Sequence, residues 1–317
     1  MNNQYLPEGL LIDSRENLEY LSSVEGLERA MNEGRILEST VLFCDSALTL
    51  HLDLCGVRGI IKKEDCVFCR EGESLKDIAI ITRVGKPICF KVSEIRYEGG
   101  TPCAILSRKA AQRECVENYI STLSPGDVID ATVTHMESFG AFVDIASGIS
   151  SLLSVDCISV SRISHPSERI SVGERIHTVV KSIDRESKRV FVSMKELLGT
   201  WEENVACFEA GQTVSGIVRS VENYGIFVEL APNLAGLAEI RENTHDKEIA
   251  KIGSRVAVYI KSIIPERMKI KLVIIDAYKG TAPKERLKYY IDTESVSHID
   301  RWRYSPEGNA KLIESVF

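Results

Sequence analysis

Two stretches of this chain repeat each other almost position for position. One runs Pro125–Ile145 and the other Ala210–Leu230. Each opens on a glycine (Gly126, Gly211) and an alternating apolar/polar run. Each then reads aromatic-Gly-X-Phe-Val-acid-aliphatic: Phe139-Gly140-Ala141-Phe142-Val143-Asp144-Ile145, and Tyr224-Gly225-Ile226-Phe227-Val228-Glu229-Leu230. The correspondence continues through Val172-Gly173-Glu174 and Ile252-Gly253-Ser254, which read as turns, into strands at Arg175–Ile183 and Arg255–Ile264. Last strands follow at Arg189–Met194 and Lys269–Ile275. Five short alternating runs in about 70 residues, punctuated by turns, predict a small closed barrel, and the repetition predicts one such barrel per copy.

A fainter third copy lies upstream. Ile36–Leu42 and Ala47–Leu54 read as a strand pair, Gly59–Ile61 as a third strand, and Pro87–Ile95 and Pro102–Ser107 as the last two. Leu18, Leu21, Val24, Leu27 and Met31 recur at helical spacing and predict an N-terminal helix with one apolar stripe. The predicted organisation is mainly β. An acidic helical segment (1–34) precedes a degenerate barrel (35–110), a linker helix (111–123), a barrel (124–196), a second linker helix (197–209), a last barrel (210–276) and a tail (277–317).

The ring pairs point to chemistry. Residues three apart on a regular strand face opposite ways. A bend at the intervening glycine lets both rings share one face. A lone Phe-Gly-Ala-Phe is most simply read as core. Recurrence of the pair, once with the half-polar ring of Tyr224, instead favours a platform on which bases stack. A five-stranded OB barrel binds oligonucleotides on such a face.

Charge bounds this reading. The 317 residues carry a net −7. Residues 1–34 hold seven acidic residues and two arginines, so the remainder is close to neutral. That suits stacking plus a few local cations better than a broad basic field. The nine scattered cysteines fit a reducing compartment rather than a disulfide framework. Cys66 and Cys69 have zinc-knuckle spacing, but a structural site needs four ligands. Cys44 and Cys55, the other candidates, fall in expected strands, so the spacing is read as coincidence and no metal or cofactor is expected. No apolar run approaches the roughly 18 residues of a membrane span. Met1–Gly9 has no signal-peptide layout, so a cytoplasmic location is expected. No phosphate loop, metal-binding His pair or nucleophile elbow is present in the sequence, and no enzymatic activity is expected.

The Phe139–Asp144 motif, followed by Val172-Gly173 and Ser182-Ile183-Asp184-Arg185, resembles the S1 RNA-binding domain. His165-Pro166-Ser167-Glu168, Asp184-Arg185-Glu186, and Trp201 leading to Gly211 and Tyr224–Glu229 resemble consecutive central repeats of ribosomal S1 proteins. The resemblance is strong over residues 120–276, weak over 35–110 and absent from the tail. It implies an RNA face with two aromatics, a His after the third strand, and an Asp and a cation near the last two strands. In the middle barrel these are Phe139, Phe142, Asp184 and Arg189, with Lys188 beside it and His165 in the preceding loop. Ser154 stands at the His position. In the last barrel they are Tyr224, Phe227 and Lys269, with Lys261 on the preceding strand; Glu239 takes the His position and Pro265 the Asp position. Glu239 is expected to repel phosphate and weaken that barrel.

The first barrel has Cys44-Asp45-Ser46-Ala47 where the rings should be, and its Lys62-Lys63 is offset by Glu64-Asp65. The resemblance then implies docking on protein, as N-terminal repeats of the family can do. In the tail, His298–Tyr304 interleaves cations and aromatics; Trp302 is read as a cap on the last barrel ahead of an RNA contact. The expected partners are single-stranded RNA, in particular mRNA, and the small ribosomal subunit, with no membrane. The alternative is an adaptor whose barrels mainly bind protein.

Overall fold

A computed structural model describes residues 5–69, 72, 74–187, 189–239, 251–278, 287–293 and 295–317. Three closed five-stranded barrels dominate it. The first is built from β1 (Leu37–Cys44), β2 (Leu50–Leu54), β3 (Val57–Ile61), β4 (Pro87–Glu98) and β5 (Thr101–Ser107). The second uses β6 (Val128–Glu137), β7 (Gly140–Ala146), β8 (Ile149–Ser154), β9 (Arg175–Asp184) and β10 (Arg189–Ser193). The third uses β11 (Thr213–Glu222), β12 (Gly225–Ala231), β13 (Leu234–Ala238), β14 (Arg255–Ile264) and β15 (Lys269–Ala277). In each, the third and fifth strands close the barrel as a parallel pair: Ile60 opposite Ile105, Leu152 opposite Phe191, Leu237 opposite Lys271. Alternation along each strand fills the interior with branched aliphatics, as in Val218, Ile226, Val228, Val258 and Leu272 of the third barrel.

The chain forms two compact units. One comprises residues 1–123, 130–132 and 144–151, and the other the remainder. In the first unit the expected single N-terminal helix is two: α1 (Arg15–Leu21) and α2 (Val24–Glu33). Ser22-Ser23 breaks the stripe, because Ser23 is extended and accepts a hydrogen bond from the Gly26 amide as an N-cap. Leu21 and Leu27 enter the barrel core, whereas Leu18 is exposed. A short helix, α3 (Asp77–Ile81), precedes β4, and α4 (Arg108–Asn118) follows β5 with Ser107 as its N-cap. Cys66 is buried against the Lys62 and Ile61 carbonyls, and desolvation pushes its thiol up to about 12.

In the second unit the linker expected as a helix over 197–209 contains only α5 (Trp201–Val205). Gly199 has a φ of +83°, and Thr200 and Glu203 start the helix with a capping box. The tail forms a hairpin, β16 (Arg301–Arg303) with β17 (Glu314–Val316). Trp302 and Tyr304 are buried in the third barrel's core, Tyr304 Oη donates to the Asn233 carbonyl, and the Tyr304 carbonyl accepts from the Trp201 amide at 3.0 Å. Just before the hairpin the chain adds backbone bonds to the start of β6: Val128 N to Ser297 O and Ile299 N to Gly126 O, both 2.9 Å.

Candidate nucleic-acid interface

The two ring pairs have the same geometry. Phe139 and Phe142 meet edge to face at 6.1 Å and 88°, Tyr224 and Phe227 at 6.2 Å and 89°. The outer ring of each pair is solvent-facing, with Phe139 53% and Tyr224 65% exposed, and the inner ring is half-buried. The intervening glycine works by close approach rather than by an unusual φ. A Cβ on Gly140 would lie 2.5 Å from the Leu153 carbonyl oxygen, and one on Gly225 2.7 Å from Leu237 Cδ1. In the third barrel the bulge sits on the facing strand, between Val218 and Ser220 of β11.

A third ring joins the middle barrel. His135 of β6 lies roughly parallel to Phe142, at 6.3 Å and 20°, with its Nε2 2.7 Å from Glu137. The repeated motif gives no sign of it, because it stands five residues before the glycine and the other copy has Ser220 there.

The cations and acids divide. Asp184 pairs across the ladder with Arg189, and both are exposed. Asp184 also binds its own turn, accepting from Ser187 Oγ at 2.6 Å and from the Glu186 amide at 3.0 Å. The Ser187 hydroxyl, first of these, holds the carboxyl below its ordinary range. Ser154 ends β8, half-buried. His165 is committed elsewhere: its Nδ1 accepts from the Ser167 amide and caps a turn with Glu168. Lys188 lies outside the described residues. In the third barrel Lys269 pairs across the ladder with Ile264, so Ile264, not Pro265, holds the place of Asp184. Lys261 is exposed at the bulge between Ile260 and Ser262. Glu239 lies 3.8 Å from Lys271, so its charge is partly offset.

The acid that ends each motif is buried. Glu229 accepts from Arg219 at 2.9 Å through both oxygens and also from Arg169, while Arg219 reaches Glu168. This four-residue network joins β11 and β12 to the His165–Arg169 loop. Asp144 accepts from the Glu8 amide at 2.7 Å and from the Ala146 and Gly148 amides at 3.0 Å; burial, then the nearby Glu8 charge, pushes it up to about 8.

The first barrel is not ringless. Phe43 of β1 and His51 of β2 are direct ladder partners, and their rings stack at 4.3 Å and 10°. Phe43 is 51% exposed, His51 only 7%, and His51 Nε2 lies 3.0 Å from Asp45 Oδ2. Residues 44–47, where sequence matching sought the rings, form the end of β1 and its turn.

A family model for the S1 RNA binding domain matches residues 122–195 and 208–275, the second and third barrels. The small ribosomal subunit protein bS1 of Staphylococcus aureus (strain COL) is 32% identical over 287 residues, covering 87% of this chain and 70% of that protein. The chain belongs to the bS1 family. Its likeness to bS1 of Staphylococcus epidermidis is of the same order, 32% over 291 residues with 88% and 70% covered. Staphylococcus haemolyticus bS1 is 31% identical over 303 residues, with 92% and 73% covered. The bS1 relatives thus align with more of the chain than the S1 domain model, which leaves the first barrel unmatched.

Proposed function

We propose that this bS1-family chain binds single-stranded RNA, mRNA in particular, during translation, as a non-enzymatic component or factor of the small ribosomal subunit. The observation that carries the reading is the duplicated platform: two half-exposed edge-to-face ring pairs of matching distance and angle on barrels of one topology. Each offers a base an apolar face; His135 lies beside the first, Lys271 shares a ladder row with Phe227 through Leu237 in the second, and the exposed Asp184, Arg189 and Lys269 are the proposed polar contacts. Stacking is tolerant of sequence, since every base has a π-face. The bS1 names of the relatives support the small subunit as partner and the cytoplasm as location. Among the described residues no helix is long and apolar enough to cross a membrane.

Titration of a fluorescent single-stranded RNA, followed by anisotropy, tests the RNA step; co-sedimentation with small subunits tests the partner. Absence of RNA binding by the purified chain, with sedimentation intact, overturns the reading in favour of a protein-binding adaptor.

A further inference from the structure

Strand register makes the first barrel comparable with the others residue by residue. On the first two strands, β1 shifts register between Val41 and Phe43, as β11 does between Val218 and Ser220. Phe43 opposite His51 therefore corresponds to Ser220 opposite Phe227. Five residues before Gly140, His135 holds the same place as Ser220 before Gly225, so the first barrel's Phe43/His51 is the middle barrel's His135/Phe142 with the ring types exchanged.

The charged positions can be matched in the same way. The parallel pairs Ile60 with Ile105 and Leu152 with Phe191 place Lys62 where the middle barrel has Ser154. The shift in β4 between Val92 and Glu94, against that in β9 opposite Phe191 and Val192, places Arg96 where Asp184 stands and Cys103 where Arg189 stands. With Glu94, which the same register matches to Ser182, these positions are neutral in sum in the middle barrel and carry one positive charge in the first. Glu94 holds the Arg96 guanidinium at 2.6 and 2.7 Å, and both Lys62 and Arg96 remain exposed.

From this register we infer that the first barrel is a third single-stranded RNA-binding face, with Phe43 as its stacking ring and Lys62 and Arg96 as its phosphate contacts. The inference rests on the RNA reading above and extends it to a barrel that the family model does not match. Phe43 is suited to the task because one face is already packed. His51 lies flat beneath it and is tied to Asp45, which also accepts from the Ala47 and Thr49 amides at 2.9 Å. The ring is thus held in place before a base arrives, so little side-chain entropy remains to be lost on stacking. Lys62 and Arg96 supply the phosphate attraction for which the sequence offered no source. The apolar stripe of the N-terminal helices packs on the barrel's own core through Leu21, Leu27 and Ala30.

The test uses the full chain and a 4-thiouridine-substituted single-stranded RNA, with photo-crosslinked peptides mapped by mass spectrometry. In the wild type, crosslinks are expected on the β1–β2 peptide containing Phe43 as well as on the Phe142 and Phe227 peptides. In Phe142→Ala/Phe227→Ala the β1–β2 crosslink should persist, and adding Phe43→Ala should weaken the remaining RNA affinity at least about 5-fold. Phe43→Tyr should restore it, and Lys62→Ala should make the log–log salt slope shallower by about 0.7. Crosslinks confined to the second and third barrels, with affinity indifferent to Phe43→Ala in the double-variant background, overturn the inference alone and leave this face to a protein partner. Failure of the wild type to bind RNA at all overturns this inference and the proposed function together.

Discussion

At the scale of single residues, the sequence motif combines two jobs that the structure separates. Its outer ring faces solvent and its inner ring is half-buried at the surface, whereas its closing acid is buried and holds neighbouring elements. Phe142→Ala should therefore act on RNA and not on folding: a loss of about 5- to 150-fold in affinity by anisotropy, the worth of one base stack, with the circular dichroism spectrum unchanged. Gly140→Ala should do the reverse. Its Cβ would press on the Leu153 carbonyl at the β7–β8 crossing, an overpacking expected to cost about 1–3 kcal/mol in chemical denaturation. Equal stability of Gly140→Ala and wild type would show that β8 moves aside freely. The ring pairs were legible in the sequence because they lie within one short motif that is written twice. His135 was not, and neither was Phe43 with His51, because each of those pairs forms across two strands, where spacing along the chain no longer reports distance in space.

At the scale of elements, the barrels were readable from alternation and turns, and the connecting pieces were not. One stripe of five apolar residues became two helices because Ser23 offers its amide neighbours a better cap than helix continuation would. A thirteen-residue linker expectation shrank to a five-residue helix at Gly199 and Thr200. At the Asp position of the last barrel, the offset that aligns Arg175 with Arg255 and Arg189 with Lys269 agrees with the ladder register in placing Ile264, not Pro265. The network of Glu229, Arg169, Arg219 and Glu168 joins β11 and β12 to a loop of the preceding repeat. Removing one member strands a buried charge, so Glu229→Ala should cost about 3–5 kcal/mol, read as a lower midpoint in urea. A cost under about 1 kcal/mol would mean that water reaches the arginines and the network contributes little. Trp302→Ala should lower stability by a similar amount, about 3–5 kcal/mol, since the tail supplies core to the last barrel.

At the scale of the whole molecule, three buried acids, Glu8, Glu38 and Asp144, govern how the fold responds to pH. In the first unit Glu8 receives Arg108 at 2.6 and 2.9 Å, and Arg83 lies 3.7 Å away. Desolvation opposes its charge, but Arg108 overcomes that and leaves Glu8 below the ordinary carboxylate range. Two further buried acids move the other way. Burial, above all, pushes Glu38 up to about 7 and Asp144 up to about 8, the nearby Glu8 charge adding to both. Glu38 Oε2 accepts from the Gly9 and Leu11 amides, but its buried Oε1 has no hydrogen-bond partner among the described residues. The signs follow from which state holds the proton. Below the unfolded values near 4 both states of Glu38 and Asp144 are protonated. Between there and about 7–8 the folded state binds more protons, so stability falls as pH rises through that window. Glu8 has the opposite sign, and its contribution is lost on acidification below its unfolded value. Stability should thus be greatest in mildly acidic solution, decline up to about pH 8 and level off above it, at up to about 1.4 kcal/mol per pH unit for each proton involved. Thermal melts of the full chain from pH 5 to 9 measure the decline. Glu38→Gln removes one ionisation from the window, so the variant should melt at or below the wild type at pH 5.5 and above it at pH 8.5. Parallel wild-type and variant curves would show that Glu38 ionises in the folded protein at its ordinary value, with solvent reaching the Oε1 that the structure encloses.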